Sequence, residues 1–198
     1  MTERAYHHGS LGNALVEAGL EVARQSGPSA LTIRDLARHA GVSPAAAYRH
    51  FPNLDHLVAD VSRLARQELA TAMIDAREAL PVIRHRDRRA ARRFRAIGDA
   101  YVRFAIASPR LFETAFVASD APPTAMDDPS AWDVLTTSID ELVVAGVVPA
   151  DRHGDAPLIA WAAVHGLGSI LIRRPHPIVI DPDQAIAAVL DGVLRSLV

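Results

Sequence analysis

The stretch Thr32–Phe51, TIRDLARHAGVSPAAAYRHF, sets two short helix patterns on either side of a tight turn. Thr32 is placed as a helix N-cap with Asp35 three residues on as its capping-box partner, and Ile33, Leu36, Ala37 and Ala40 recur at the spacing of one buried face. Gly41 ends that helix. Val42 fills the turn, Ser43 caps the next helix, and Pro44 suits its first position because the N–H that proline lacks would be unpaired there anyway. The second helix stops near Phe51-Pro52.

Working outward, Leu11, Ala14, Leu15, Ala18 and Val22 form one helical stripe, with Ser10 as its expected N-cap and Ser26-Gly27-Pro28 as its stop. Three short helices joined in this way predict a helix-turn-helix module over residues 1–55. Asn53 then caps a longer connecting helix that carries Leu54, Leu57, Val58, Val61, Leu64, Ala65, Leu69 and Met73 and runs to about Glu78, ahead of Pro81. Five more helices are expected over 87–107, 109–118, 130–148, 155–173 and 183–198, each opened by Asp, Ser or Pro. Pro122-Pro123 and Arg174-Pro175-His176-Pro177 are expected loops. The pattern is all-α: about nine helices in two domains, 1–55 and 56–198, without strands or internal repeats.

Composition narrows the chemistry. The chain has 198 residues, 49% hydrophobic and 22% charged, which suits a folded core. No run approaches the roughly 18 apolar residues of a membrane span, and residues 1–8 lack a signal-peptide core, so a cytoplasmic protein is expected. Cysteine is absent, which excludes disulfides and thiolate chemistry. All 21 basic residues are arginine, which removes the lysine of a Schiff base or phosphate loop. No zinc helix, Gly-rich phosphate loop or nucleophile elbow occurs, so neither an enzyme nor a cofactor or metal site is expected. The net charge is −2, and any DNA-binding surface must therefore be local.

The string from Thr32 to Phe51 resembles the signature of the TetR family of transcription regulators, in which a Thr-initiated helix leads through Gly-Val-Ser to a recognition helix ending in Tyr-x-His-Phe. The resemblance implies double-stranded operator DNA as partner. Thr32 and Ser43 place hydroxyls and unpaired N–H groups at helix N-termini, where a phosphate is favoured. Tyr48 and His50 offer an OH and an imidazole to phosphate, and Arg49 is long enough for a guanine edge or a phosphate. Pro44, Ala45 and Ala46 are small enough for close approach to the major groove, while Ala47 is expected to face the module's own core. Two features oppose a strong interface. Residues 1–55 balance Arg4, Arg24, Arg34, Arg38 and Arg49 against Glu3, Glu17, Glu21, Asp35 and Asp55. Where many family members carry a phosphate-binding lysine at the start of the fourth helix, this chain has Leu54. Tyr6-His7-His8-Gly9 is either a DNA-contacting arm or an idle lead-in.

Trp161-Ala162-Ala163-Val164-His165-Gly166 resembles the Trp-x-x-x-His-Gly motif of a TetR subgroup. Trp161 and His165 share a helix face, and His165 is either a ligand contact or a structural residue. The family likeness implies a homodimer through helices at about 155–173 and 183–198, which would hold two recognition helices about 34 Å apart on a palindrome. It also implies a small-molecule effector in a helical pocket. Tyr101, Phe104, Phe112, Phe116 and Trp132 are candidate lining residues, with Trp161 and His165 beside them. Seven arginines crowd between Arg84 and Arg95, offset only by Asp87. They form a solvated face, an anion or partner surface, or an auxiliary phosphate contact. The functional expectation is a regulator, most simply a repressor, released from DNA by its ligand; a helical ligand carrier with a decayed helix-turn-helix is the alternative.

Overall fold

The computed structural model describes residues 3–126, 129–173 and 181–198, with side chains from residue 11 onward. Nine α-helices occur among the described residues: α1 (Glu3–Ser26), α2 (Ile33–His39), α3 (Pro44–His50), α4 (Leu54–Glu78), α5 (Arg86–Ala107), α6 (Pro109–Ala115), α7 (Ala131–Val144), α8 (Ala156–Ile172) and α9 (Pro182–Leu197). No described residue lies in a strand, and no described helix is long and apolar enough to cross a membrane. The expected loop at 174–177 falls outside the described residues.

The chain divides into two compact units, Met1–Gln67 with Arg110–Asp128, and Glu68–Pro109 with Pro129–Val198. The division does not fall at residue 55. The first half of α4 completes the core of the small module, because Leu57 and Val61 are fully buried in one cluster with Leu15, Leu36, Ala37, Ala47 and Phe51. Gly19 on α1 allows the close approach, since a Cβ there would meet Val61 Cγ2 at 2.5 Å. The segment after α5 also belongs to this unit. Arg66 donates to the Ala115 carbonyl at the end of α6 (3.1 Å), and the Thr124 backbone N–H donates to Asp60 (2.6 Å).

Helix ends follow local chemistry, with two corrections. Ser10 is not a cap, because α1 begins at Glu3 and Ser10 lies inside it. The seventh helix stops at Val144 and not at Val148. Gly146 takes φ 73°, its N–H reaches the Val143 carbonyl, and the Val147 N–H reaches the Leu142 carbonyl, which together make a Schellman stop. Gly41 ends α2 in the same way, with φ 68° and Val42 N–H bonded to the Ala37 carbonyl, so the turn of the helix-turn-helix is itself a helix cap. A Cβ at either glycine would strain the turn.

In the second unit α5 packs against α7, α8 and α9. Phe94, Ile97, Tyr101 and Val102 of α5 are buried with Leu135, Ile139 and Leu142 of α7, Ala160 and Val164 of α8, and Leu190 and Leu194 of α9. The arginine cluster is partly consumed in this packing. Arg93 pairs with Glu141 (3.1 Å), Arg95 with Asp191, and Arg86 donates to the Val144 carbonyl (3.2 Å), placing a cation at the negative end of α7. Arg84, Arg88 and Arg92 remain exposed.

Candidate functional site

The DNA-reading candidates sit on α2, α3 and the turn between them. Ser43 caps α3 by accepting the Ala46 N–H (3.2 Å), which leaves its hydroxyl proton free to donate outward. Thr32 caps α2 by accepting the Asp35 N–H (3.1 Å), but its own proton goes to the Asp35 carboxylate (2.7 Å). Thr32 can therefore meet a phosphate only through the backbone N–H groups behind it. The hydrogen bond from Thr32, aided by Arg38 at 2.8 Å, holds the Asp35 carboxyl below its usual range, so a negative charge stands beside this helix end.

On α3 the residues separate cleanly by face. Ala47 is fully buried, as its expected core role requires, whereas Pro44, Ala45 and Arg49 are exposed and Tyr48 is 54% exposed. Pro44 and Tyr48 are four apart, as are Ala45 and Arg49, so small residues and long polar ones lie in two adjacent rows of one outward face. Ala46 and His50 are half-buried. His50 borders a pocket formed with Gly12, Asn13, Val16 and Glu17 of α1 and Asp60, Arg63 and Leu64 of α4, which turns it partly away from that face. Leu54 presents an exposed aliphatic side chain at the start of α4, next to the Asn53 cap that accepts from His56 N–H (3.1 Å). Arg34, exposed on the first turn of α2 beside Asp35, was not singled out from the sequence as a DNA contact. Its signal was its place one residue after Ile33 on the outward face.

The effector candidates separate into two groups. In the second unit Tyr101 is almost wholly buried, and its hydroxyl lies 2.8 Å from Nδ1 of His165. Trp161 meets Tyr101 edge-on at 5.3 Å and Trp132 at 5.6 Å, and its ring runs parallel to that of His165. Burial pushes the phenol pKa up and the imidazole pKa down, so both groups are held neutral. Beside them is a cavity of about 20 Å³ lined by Met73, Phe94, Ile97, Leu135, Val164 and Leu190 as well as Tyr101 and Trp161, all apolar against it. That space admits roughly one water. Phe104 is half-buried on α5 but does not border this cavity. Phe112 and Phe116 pack edge-on against each other at 5.1 Å in the first unit. Sequence reasoning passed over Phe94, Leu135 and Val164, because an aliphatic lining has the same periodic signature as core.

Comparison with known proteins supplies an independent reading of this arrangement. Residues 15–61 match the model of bacterial regulatory proteins of the tetR family, and residues 94–193 match the tetracyclin repressor-like C-terminal domain. No curated protein sequence matches the chain. Among solved structures, a protein of unknown function from Rhodococcus sp. RHA1 is 28% identical with a TM-score of 0.75, covering 98% of this chain and 99% of that one. A bacterial regulatory protein in the tetR family, also from Rhodococcus RHA1, is 22% identical with a TM-score of 0.64, covering 94% and 96% of the two chains. RolR in complex with its ligand resorcinol is 15% identical with a TM-score of 0.66, covering 98% and 90%.

Proposed function

The chain belongs to the tetR family of bacterial regulatory proteins, and on that premise we propose that it is a transcriptional repressor that grips a palindromic operator as a homodimer and is released by a small molecule. The observation that carries this reading is the outward face of α3. An aromatic side chain, Tyr48, is left 54% exposed beside Arg49 on a helix whose opposite side, Ala47, is fully buried. Such a face suits a major groove: Pro44 and Ala45 approach closely, Arg49 reads a base edge or phosphate, and Tyr48, Ser43 and the N–H groups behind Thr32 hold the backbone. Arg34 adds a phosphate contact that the sequence reading lacked. The module's charge balance and Leu54 make the electrostatic component modest.

Dimerisation is supported by α8. It has no charged residue from Ala156 to Ile172, yet leaves Leu158 65%, Ile159 40% and Ile170 47% exposed, with Ala162 on the same side. A contiguous apolar face of this kind is hidden at lowest cost by its own two-fold mate, with α9 beside it. The Trp161, His165, Gly166 string supports membership of the subgroup with that motif. An effector entering beside Tyr101 and Trp161 has to be small and apolar and must enlarge the cavity, and it releases DNA only if it prefers the non-binding state. RolR with resorcinol offers a precedent for a small aromatic ligand on this fold. Acting on chromosomal DNA, the protein works in the cytoplasm.

The test is binding of the protein to the duplex upstream of its own coding region and to a random duplex, at two salt concentrations. Specific, salt-sensitive binding that weakens at least about tenfold in both Arg49→Ala and Tyr48→Ala is the expected result. Absence of specific binding to that duplex and to a randomised operator library would instead favour the ligand carrier.

A further inference from the structure

The arginine-rich stretch between Arg84 and Arg95 holds more cations than the packing of the second unit uses. Arg93 and Arg95 pair with Glu141 and Asp191, and Arg86 donates to the Val144 carbonyl at the end of α7. Arg84, Arg88, Arg89 and Arg92 form no hydrogen bond or ion pair among the described residues, and all but the half-buried Arg89 are exposed. They lie just before or within the first two turns of α5, where like charges repel one another and the macrodipole disfavours cations. Helix stability therefore does not account for them. Apolar side chains stand beside these arginines. Val82, in the segment before α5, is 92% exposed, and Val144, the last residue of α7, is 71% exposed. Between α5 and α7 is a groove of about 150 Å³, with Arg86, Arg89 and Arg93 on one side and Glu141, Val144 and Ala145 on the other. That volume is below the roughly 300–1,000 Å³ of small-molecule sites and suits a single side chain.

We propose that this face of the second unit docks an acidic segment of a partner protein, one in which Asp or Glu residues are interspersed with aliphatic ones. Charge complementarity supports it, because the stretch from Arg84 to Arg95 is strongly basic in a chain whose net charge is −2. A guanidinium donates two parallel N–H bonds to one carboxylate. Arg88 and Arg92 are one turn apart on α5, with Cβ atoms about 5–6 Å apart, and so take two carboxylates of the same segment. The neighbouring valines select the class of partner. Aliphatic side chains of a peptide cover Val82 and enter the groove beside Val144, whereas a nucleic-acid backbone offers a phosphate at every step and nothing to cover them. Asp87 and Glu141 also interrupt the patch, and a peptide can place its acids away from them. A lipid surface calls for Trp, Phe or Leu to insert among its headgroups, and the most exposed apolar residues here are valines. The surface lies wholly within the second unit and does not depend on the repressor reading.

The experiment is selection of a displayed library of random peptides on the full chain, followed by fluorescence anisotropy of the enriched peptides. Peptides rich in Asp or Glu together with Val, Leu or Ile are expected, with saturable binding that weakens as salt is added. Arg88→Glu and Arg92→Glu should each weaken them at least about tenfold, and Val82→Ser about two- to threefold. Arg110→Glu makes the same charge change at an exposed position of the first unit and should leave binding unaltered. All four variants alter exposed side chains, and circular dichroism verifies their fold. Non-specific duplex DNA and phosphatidylglycerol vesicles are tested in parallel. Enrichment of no peptide, enrichment of peptides without acids, or an equal loss in Arg110→Glu overturns the proposal. So does binding of the duplex or the vesicles that is lost in Arg88→Glu and Arg92→Glu and is tighter than that of any peptide. Larger assemblies of the chain itself that dissolve in Arg88→Glu would assign the face to a second copy and overturn it as well.

Discussion

The two units enclose space of opposite chemistry. In the second, the cavity beside Tyr101 and Trp161 is about 20 Å³ and apolar, and the one phenol at its edge is already bonded to His165. In the first, the pocket beside Asp60 and Arg63 is about 380 Å³ and has polar walls, with Asp60 accepting two hydrogen bonds from Thr124 and Arg63 donating to Gln67. A cavity whose polar groups are paired internally minimises its free energy by staying small and dry. A roomy pocket with polar walls can hold several waters, each with protein groups to bond.

The largest expected effect tests how tightly the dry side is packed. Tyr101→Ala should lower unfolding free energy in urea by about 3–5 kcal/mol, because a fully buried aromatic is lost, whereas Tyr101→Phe should cost only about 1 kcal/mol for the hydrogen bond to His165. An alanine variant that loses less than about 1 kcal/mol would mean that the surrounding helices collapse freely, and the reading of a tightly packed dry side would fail.

Next in size is Asp60→Ala, expected to cost about 1–3 kcal/mol by stranding the Thr124 N–H, with faster amide exchange near Ser119 and Thr124. Ser119 also donates to the Asp55 carbonyl (3.1 Å), so some docking of this segment survives. If Asp60→Ala instead stabilises the chain, the desolvation of the carboxylate outweighs its bonds. That outcome would sharpen the comparison, since the polar pocket would then keep its carboxylate at a net cost in stability.

The smallest effect concerns pH. Burial lowers the His165 pKa below the ordinary 6.5, so the unfolded chain binds this proton more readily than the folded one. Stability from this group is complete above about pH 6.5 and declines as pH falls through the lower, folded-state value. Melting temperature measured from pH 7.5 to pH 5 should fall less steeply in His165→Gln than in the parent chain. Identical slopes would show that the imidazole is solvated.

The helices were legible because their signals are local. Thr32 with Asp35, Ser43 with Pro44, Asn53, and Gly41 after Ala40 each act within one turn, and the structure has helices where those residues place them. Gly146 carried the same kind of signal for the end of α7 and was passed over. The outward face of α3 was also readable, since a buried Ala47 assigns Tyr48 and Arg49 to the other side by helical geometry alone. The lining of the dry cavity was not. Phe94, Leu135 and Val164 obey core periodicity, and nothing in spacing distinguishes a residue beside a void from one beside another side chain.

By itself the sequence determined an all-helical chain, a helix-turn-helix between Thr32 and Phe51, and the absence of thiolate chemistry, because caps, periodicity and composition act over a few residues or none. Only the tertiary structure decided that residues 110–128 join the N-terminal unit, that Arg93 and Arg95 are spent on Glu141 and Asp191, and that Asp60 meets Thr124 while Arg63 Nε meets no acceptor. These pairings join positions 48 to 96 residues apart, or record a partner that never arrives. Both depend on which helix faces pack together, and local propensity carries no information about that.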